Sequence, residues 1–324
     1  MSSIPTIVIY HGNCPDGFAA YSLYRKWALA FGPVTGYPVA PQDERTWPAI
    51  PPSPFSVAFL DVVPDEATLL RWEAAAVKTT MIDHHASSKD TLLSSGHFPQ
   101  KKDQVVQFST ECCAAVLTHK YLYPLVPVPD WLWHVDRVDR WSGVTAHDVA
   151  LREYLQPLAR MPVAGAEAAA LAQLDTFIAD YSAGGIKMLE ILAESDKRLV
   201  AKQKKLNAIL SNPRRTNLIR VDADYCENTG LDVNWIDQVV LSVVTTGTYG
   251  FDSTLASHLV FTKCPDVTVF VNYIEIGKFK YKYCVRSKGF DVTEGIGLDG
   301  KGFFFGHPCA AGGVLGGPTS PFLV

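Results

Sequence analysis

Residues 7–17 read Ile7-Val8-Ile9-Tyr10-His11-Gly12-Asn13-Cys14-Pro15-Asp16-Gly17, and the folding of this stretch decides the architecture around it. Four consecutive apolar residues, Ile7 to Tyr10, predict a strand buried on both faces, since a half-exposed strand would alternate polar and apolar positions. Gly12, Asn13, Pro15 and Gly17 are turn formers that end the strand, and helical spacing follows from Phe18 to Ala30. This strand, loop and helix unit recurs. Val57 to Leu60 precedes a helix from Pro64 to Ala75, and Val77 to Ile82 precedes a histidine-rich loop and a later helix. Such alternation predicts an α/β fold with a parallel sheet covered on both faces. Ligands of these sheets gather beyond the carboxyl ends of the strands. His11, Asp16, Asp61 and the triplet Asp83-His84-His85 all fall there.

Helical spacing dominates from Pro129 to about Ser211. Met188, Ile191, Leu192, Leu199, Leu206 and Ile209 recur at helical intervals and predict a linker helix over 186–212. Asn212-Pro213 is a stop signal, after which strand patterns take over at 218–221, 238–244, 267–276 and 278–285. The last two flank Gly277 as a hairpin. The expected organisation is a parallel-sheet domain over 1–185, the linker helix, and a smaller mixed α/β domain over 213–324, with the active site in the cleft between domains.

A chain of 324 residues, 48% hydrophobic, is long enough for two cores. Its net charge of −4 and pI near 6.1 argue against coating long duplex nucleic acid by bulk electrostatics. The seven cysteines are an odd set without paired spacing, which suits a reducing compartment. No secretory leader or membrane span is legible, so the expected location is cytoplasmic, with an organelle left open, and no membrane partner is expected. Neither a Gly-x-Ser-x-Gly elbow nor a Walker loop occurs, which argues against serine hydrolases and P-loop hydrolases.

An Asp after a strand is often only a helix cap, and a lone His is usually a packing residue. The joint pattern is more specific: His11 to Gly17, then Phe59-Leu60-Asp61, then Ile82-Asp83-His84-His85, then Val138-Asp139-Arg140-Trp141. Carboxylates supply hard oxygens and imidazoles add transition-metal affinity, so the set suits Mn²⁺, Mg²⁺ or a similar ion.

With these segments in this order, the chain resembles the DHH phosphoesterase superfamily, which spans RecJ-like exonucleases, short-oligonucleotide ribonucleases, cyclic-dinucleotide phosphodiesterases, family II pyrophosphatases and exopolyphosphatase. The resemblance implies two ions, Mn²⁺ with Mg²⁺ or Co²⁺ as alternatives. Asp61 would bridge them, His11 would bind the first, and Asp16, His84 and Asp139 the second, with Asp136 as the fallback for Asp139. Asp83 would orient a ligand or coordinate peripherally, and His85 would face the substrate phosphate. The chain departs from the family at Cys14, where a carboxylate is usual. Cys14 is then a thiolate ligand, or water fills its place, or that ion binds weakly.

Near the C-terminus, Tyr283-Cys284-Val285-Arg286-Ser287 and Gly306-His307-Pro308-Cys309-Ala310-Ala311-Gly312-Gly313 resemble the DHH-associated substrate-binding domain. By that resemblance Arg286 and His307 grip a phosphate, with Ser287 and Gly306 beside them. Pro308 suits the first turn of a helix, whose N-terminus would favour an anion. Phe303, Phe304 and Phe305 replace the family's glycines, as packing residues or a base platform. Cys112-Cys113 is expected to open a helix at a Ser/Thr cap. The basic residues of the linker helix, Lys197 to Lys205, predict a solvated face. The implied activity is hydrolysis of short oligoribonucleotides or cyclic dinucleotides by two-metal activation of water, with a phosphoanhydride hydrolase as first alternative and a catalytically weakened nucleotide-binding regulator as second.

Overall fold

A computed structural model describes residues 4–40, 46–52, 54–94, 103–184, 186–212, 215–229, 233–246, 253–277, 280–289, 291–292, 305–307 and 309–316. The chain divides into two compact units. The first comprises Met1–Asp139 with Leu151–Leu192, and the second Arg140–Ala150 with Ala193–Val324. The division falls within the long helix Ile186–Leu210, and Arg140–Ala150 groups with the C-terminal residues.

In the first unit β1 (Thr6–His11), β2 (Val34–Val39), β3 (Ser56–Leu60), β4 (Lys78–Asp83) and β5 (Gln104–Phe108) form one sheet in the order β2-β1-β3-β4-β5. Every pairing is parallel. Alternate residues of β1, β3 and β4 enter two cores, as their unbroken apolar runs require. Val8, Tyr10, Ala58, Leu60 and Ile82 pack with α1 (Pro15–Ala28), α4 (Ala114–Leu122), α5 (Asp130–Asp139) and helices further along. Ile7, Ile9, Val57, Phe59 and Met81 pack with Leu69 and Trp72 of α2 (Glu66–Ala75) and with Leu92 of α3 (Ala86–Ser94).

The edge strands β2 and β5 are not announced by the sequence pattern. Gly36 and Pro38 interrupt β2, yet an edge strand tolerates a missing donor. Gly36 is required there, since a Cβ would stand 2.4 Å from the Tyr21 ring.

In the second unit β6 (Thr216–Arg220), β7 (Val239–Thr246), β8 (Val269–Gly277), β9 (Lys280–Ser287), β10 (Phe305–His307) and β11 (Ala310–Gly316) form a sheet ordered β10-β11-β9-β8-β7-β6. Among the described residues of this unit only β7 and β8 pair in parallel, with the helix Ser253–Lys263 between them in the chain. The hairpin expected around Gly277 is β8 and β9. The helical turn expected after Gly306 is corrected. Gly306 pairs with Ala311 and His307 with Ala310 in an antiparallel ladder, so this stretch extends the sheet. Small side chains that suit a phosphate loop also suit closely paired strands, and the ladder satisfies the backbone donors that a helix start would have left open. Pro308, Phe303 and Phe304 lie outside the described residues.

Candidate metal centre

The loop from His11 to Asp16 is held where it is by close backbone approach. Pro15 occupies the first turn of α1, where its missing N–H costs nothing. A Cβ on Gly17 would stand 2.3 Å from the His11 carbonyl oxygen, so glycine is needed for α1 to begin against the end of β1. Asn13 has φ 59° and Asp61, just past β3, has φ 58°. Both are in the left-handed region, which Asn and Asp tolerate better than other non-glycine residues.

His11, Cys14, Asp16, Asp61, Asp83, His84, His85 and Asp139 all belong to the first unit, and the fold brings them together. Asp61 turns its two oxygens in different directions: Oδ2 is 3.3 Å from His11 Nδ1, and Oδ1 is 3.1 Å from His84 Nε2. His84 Nε2 is also 3.4 Å from Asp16 Oδ2 and 3.3 Å from Asp139 Oδ2. Cys14 Sγ lies 3.9 Å from Asp139 Oδ1. Among the described residues three donor groups result, His11 with Cys14 and Asp61, Asp16 with His84 and Asp139, and Asp61 with Asp83, His84 and His85, which joins the other two; within each, one donor atom per residue lies within 4.8 Å of the others. His11 Nδ1 and Asp61 Oδ2 are buried and make no hydrogen bond. A cation between them would supply what each lacks, so the residues fit a divalent metal.

Asp83 holds the triplet in shape. Its Oδ1 accepts from the backbone N–H of His84 at 2.7 Å and from His85 Nδ1 at 2.7 Å, and its Oδ2 accepts from the Ser88 hydroxyl. The second carboxylate group is tied to α4, whose N-cap residue Cys113 makes no side-chain cap. Asp16 accepts from the N–H groups of Ala114 at 2.9 Å and Ala115 at 2.7 Å. Asp136 accepts from Cys113 N–H at 2.6 Å. The expected Ser/Thr cap is thus replaced by carboxylates distant in sequence. Asp136 is occupied at this helix start, and Asp139 is the residue that stands among the donors.

Burial opposes ionisation of Asp61, but the imidazoles of His11 and His84 beside it hold its carboxyl well below the usual range. Burial, together with the carboxylates of Asp61 and Asp139, pushes Asp16 up. Burial disfavours charge on His84, yet its hydrogen bond with Asp61 and the Asp139 carboxylate lift it to about 9. His85, against burial, is lifted to about 10 by Asp83. Burial, then Asp61, Asp139 and Asp16, push the Cys14 thiol well up. This is a negative pocket that takes up positive charge.

A clamp on the loop has no signature in the sequence. In α6 (Ala146–Arg160), Gln156 Nε2 donates to the Asn13 carbonyl at 2.9 Å, and Arg160 Nε donates to Asn13 Oδ1 at 3.0 Å. The partners are 143 and 147 residues apart, a separation at which spacing carries no information.

Arg286, Ser287, Gly306 and His307 lie in the second unit. Register aligns Arg286 of β9 with Ala310 of β11, and Ala310 with His307 of β10, so the backbones of the two expected phosphate ligands share one level of the sheet. The Arg286 guanidinium stands 5.7 Å from the Trp141 ring centroid, and Nη1 donates to the Val285 carbonyl at 2.8 Å. Ser287 is buried, and its N–H donates to the Cys309 carbonyl at 3.1 Å.

No protein-family model matches the chain, and no curated protein matches it. Several solved structures are similar in shape. An uncharacterized protein from Helicobacter pylori G27 is 16% identical, with 96% of this chain and 93% of that chain covered and a TM-score of 0.33. An exopolyphosphatase-related protein from Bacteroides fragilis is 14% identical, with 96% and 87% covered and a TM-score of 0.46. RecJ in complex with Mn²⁺ from Thermus thermophilus is 12% identical, with 96% and 49% covered and a TM-score of 0.42. Among the described residues no helix is long and apolar enough to cross a membrane.

Proposed function

We propose that the chain is a divalent-metal-dependent phosphoesterase that hydrolyses short oligoribonucleotides or cyclic dinucleotides. The observation that carries this reading is Asp61, whose two oxygens face different donor sets. That arrangement suits a carboxylate shared by two ions. His11, Cys14 and Asp61 would hold one, and Asp16, His84, Asp139 and Asp61 the other. Two such ions supply an activated water and neutralise charge developing on the phosphoryl group.

The chain's own residues do the rest. Asp83 accepts a hydrogen bond from His85 Nδ1 and so fixes the ring orientation. The partly exposed His85 ring would donate to a non-bridging phosphate oxygen. In the second unit Arg286, held over Trp141, carries a planar fork of the kind that pairs with phosphate oxygens, and His307, Ser287 and Gly306 are assigned with it to substrate binding.

The test is a substrate panel on the pure protein with Mn²⁺, Mg²⁺ and Co²⁺. Release of mononucleotide from a dinucleotide or cyclic dinucleotide is the expected result. Turnover of polyphosphate or pyrophosphate alone would replace this reading with a phosphoanhydride hydrolase. Tight nucleotide binding without turnover in any metal would replace it with a regulator.

A further inference from the structure

The two donor sets differ in kind. Asp16, His84 and Asp139 offer two carboxylates and an imidazole, whereas His11, Cys14 and Asp61 offer an imidazole, a thiol and one carboxylate. Magnesium asks for oxygen ligands and near-octahedral geometry, and a thiol gives it nothing. Zinc takes Cys, His and Asp together in four-coordinate sites, and softer sulfur ligands select for it.

Cys14 does not stand alone as evidence of a site. The Asp61 side chain is only 1% exposed, and its Oδ2 makes no hydrogen bond although it faces His11 Nδ1 at 3.3 Å. The buried Nδ1 makes none either. Two donors each about 2.1 Å from one ion stand about 3 to 4 Å apart, so the spacing suits a shared cation. Cys14 is also the N-cap of a 14-residue helix, and a cation bound beside it would offset the burial and carboxylate repulsion that keep its sulfur a thiol.

We infer that the half-site of His11, Cys14 and Asp61 takes a thiophilic divalent ion such as Zn²⁺ or Co²⁺ through the Cys14 thiolate, while the half-site of Asp16, His84 and Asp139 takes Mn²⁺ or Mg²⁺. The inference rests on the reading of this cluster as a metal centre. On binding, the S–H bond breaks, a sulfur–metal bond forms, and the proton leaves to solvent. The centre is then a mixed pair, and the departure from an all-hard donor set is a change of metal rather than loss of the site.

Cobalt alone is the probe. Metal-free protein is titrated with Co²⁺ and followed by calorimetry and by near-ultraviolet absorption, where a thiolate-to-cobalt charge-transfer band reports sulfur ligation. The wild type is expected to show the band and Cys14→Ser to lose it, while Cys14→Ser still binds an ion at the other half-site. Cys14→Asp should bind at both half-sites without the band and shift its preference from Zn²⁺ toward Mn²⁺. Because Cys14→Asp also removes the sulfur, its spectrum decides the matter if the serine variant does not fold. Cobalt binding by the wild type without the band overturns the inference and leaves the metal centre standing, as does a band that survives in either variant. No divalent binding by the wild type would instead remove the metal centre itself, and the proposed function with it.

Discussion

The side-chain amide of Gln156 donates to the backbone carbonyl of Asn13 at 2.9 Å, pinning a residue of left-handed conformation between two metal-facing side chains, His11 and Cys14. Residues behind a metal ligand orient it, and losing one typically weakens metal affinity on the order of 10- to 100-fold. Gln156→Leu should do so for the His11 half-site and leave the Asp139 half-site unchanged in calorimetric titration. Adding Asn13→Gly should recover part of the loss, since glycine adopts this backbone without strain. Equal weakening of both half-sites would show that α6 supports the unit generally.

Asp61→Asn keeps a residue that tolerates the left-handed region at φ 58°, but removes the charge facing both donor sets. Hydrolysis and two-ion binding should be lost while far-ultraviolet circular dichroism stays that of the wild type. Retained turnover would remove Asp61 from the centre.

Stability of the metal-free protein should depend on pH in a defined direction. His84 and His85 are raised to about 9 and about 10 from an unfolded value of about 6.5. Their protonation contributes stability that is fully present below about pH 6.5 and is lost as pH rises through about 9 and 10. Asp16, also raised, acts in the same sense. Melting temperature should therefore fall from about pH 7 to about pH 10. Divalent metal should flatten the slope, because ligation requires a deprotonated imidazole. A flat profile in chelator would contradict the charge coupling at the triplet.

Trp141 lies under Arg286 at 5.7 Å and follows the donor Asp139 by two residues. A cation–π contact of this kind contributes about 0.5–2 kcal/mol. Trp141→Ala should raise KM roughly 2- to 30-fold with kcat nearly unchanged, and Trp141→Phe should recover most of it. A fall in kcat with KM constant would place Trp141 with the metal ligands instead.

The β1-to-α1 stretch, the strands β3 and β4 and the β8–β9 hairpin were legible because runs of apolar residues and turn formers are local signals. The edge strands were not, because edge positions carry weak burial and β2 holds Gly36 and Pro38. The cap of α4 was misplaced for a related reason: its carboxylates, Asp16 and Asp136, come from other elements. The strand from Ala310 stands where Pro308 led to the expectation of a helix, because small residues serve both structures.

The sequence by itself determined which residues carry donor chemistry and that they follow strand ends, since residue type and periodicity are written in the chain. Only the tertiary structure decided that Asp139 rather than Asp136 joins the donors, that Asp61 divides its oxygens between two sets, and that Gln156 stands behind Asn13. These are relations of distance and direction between residues 23 to 143 positions apart, set by how helices pack on the sheet, and no local pattern encodes them.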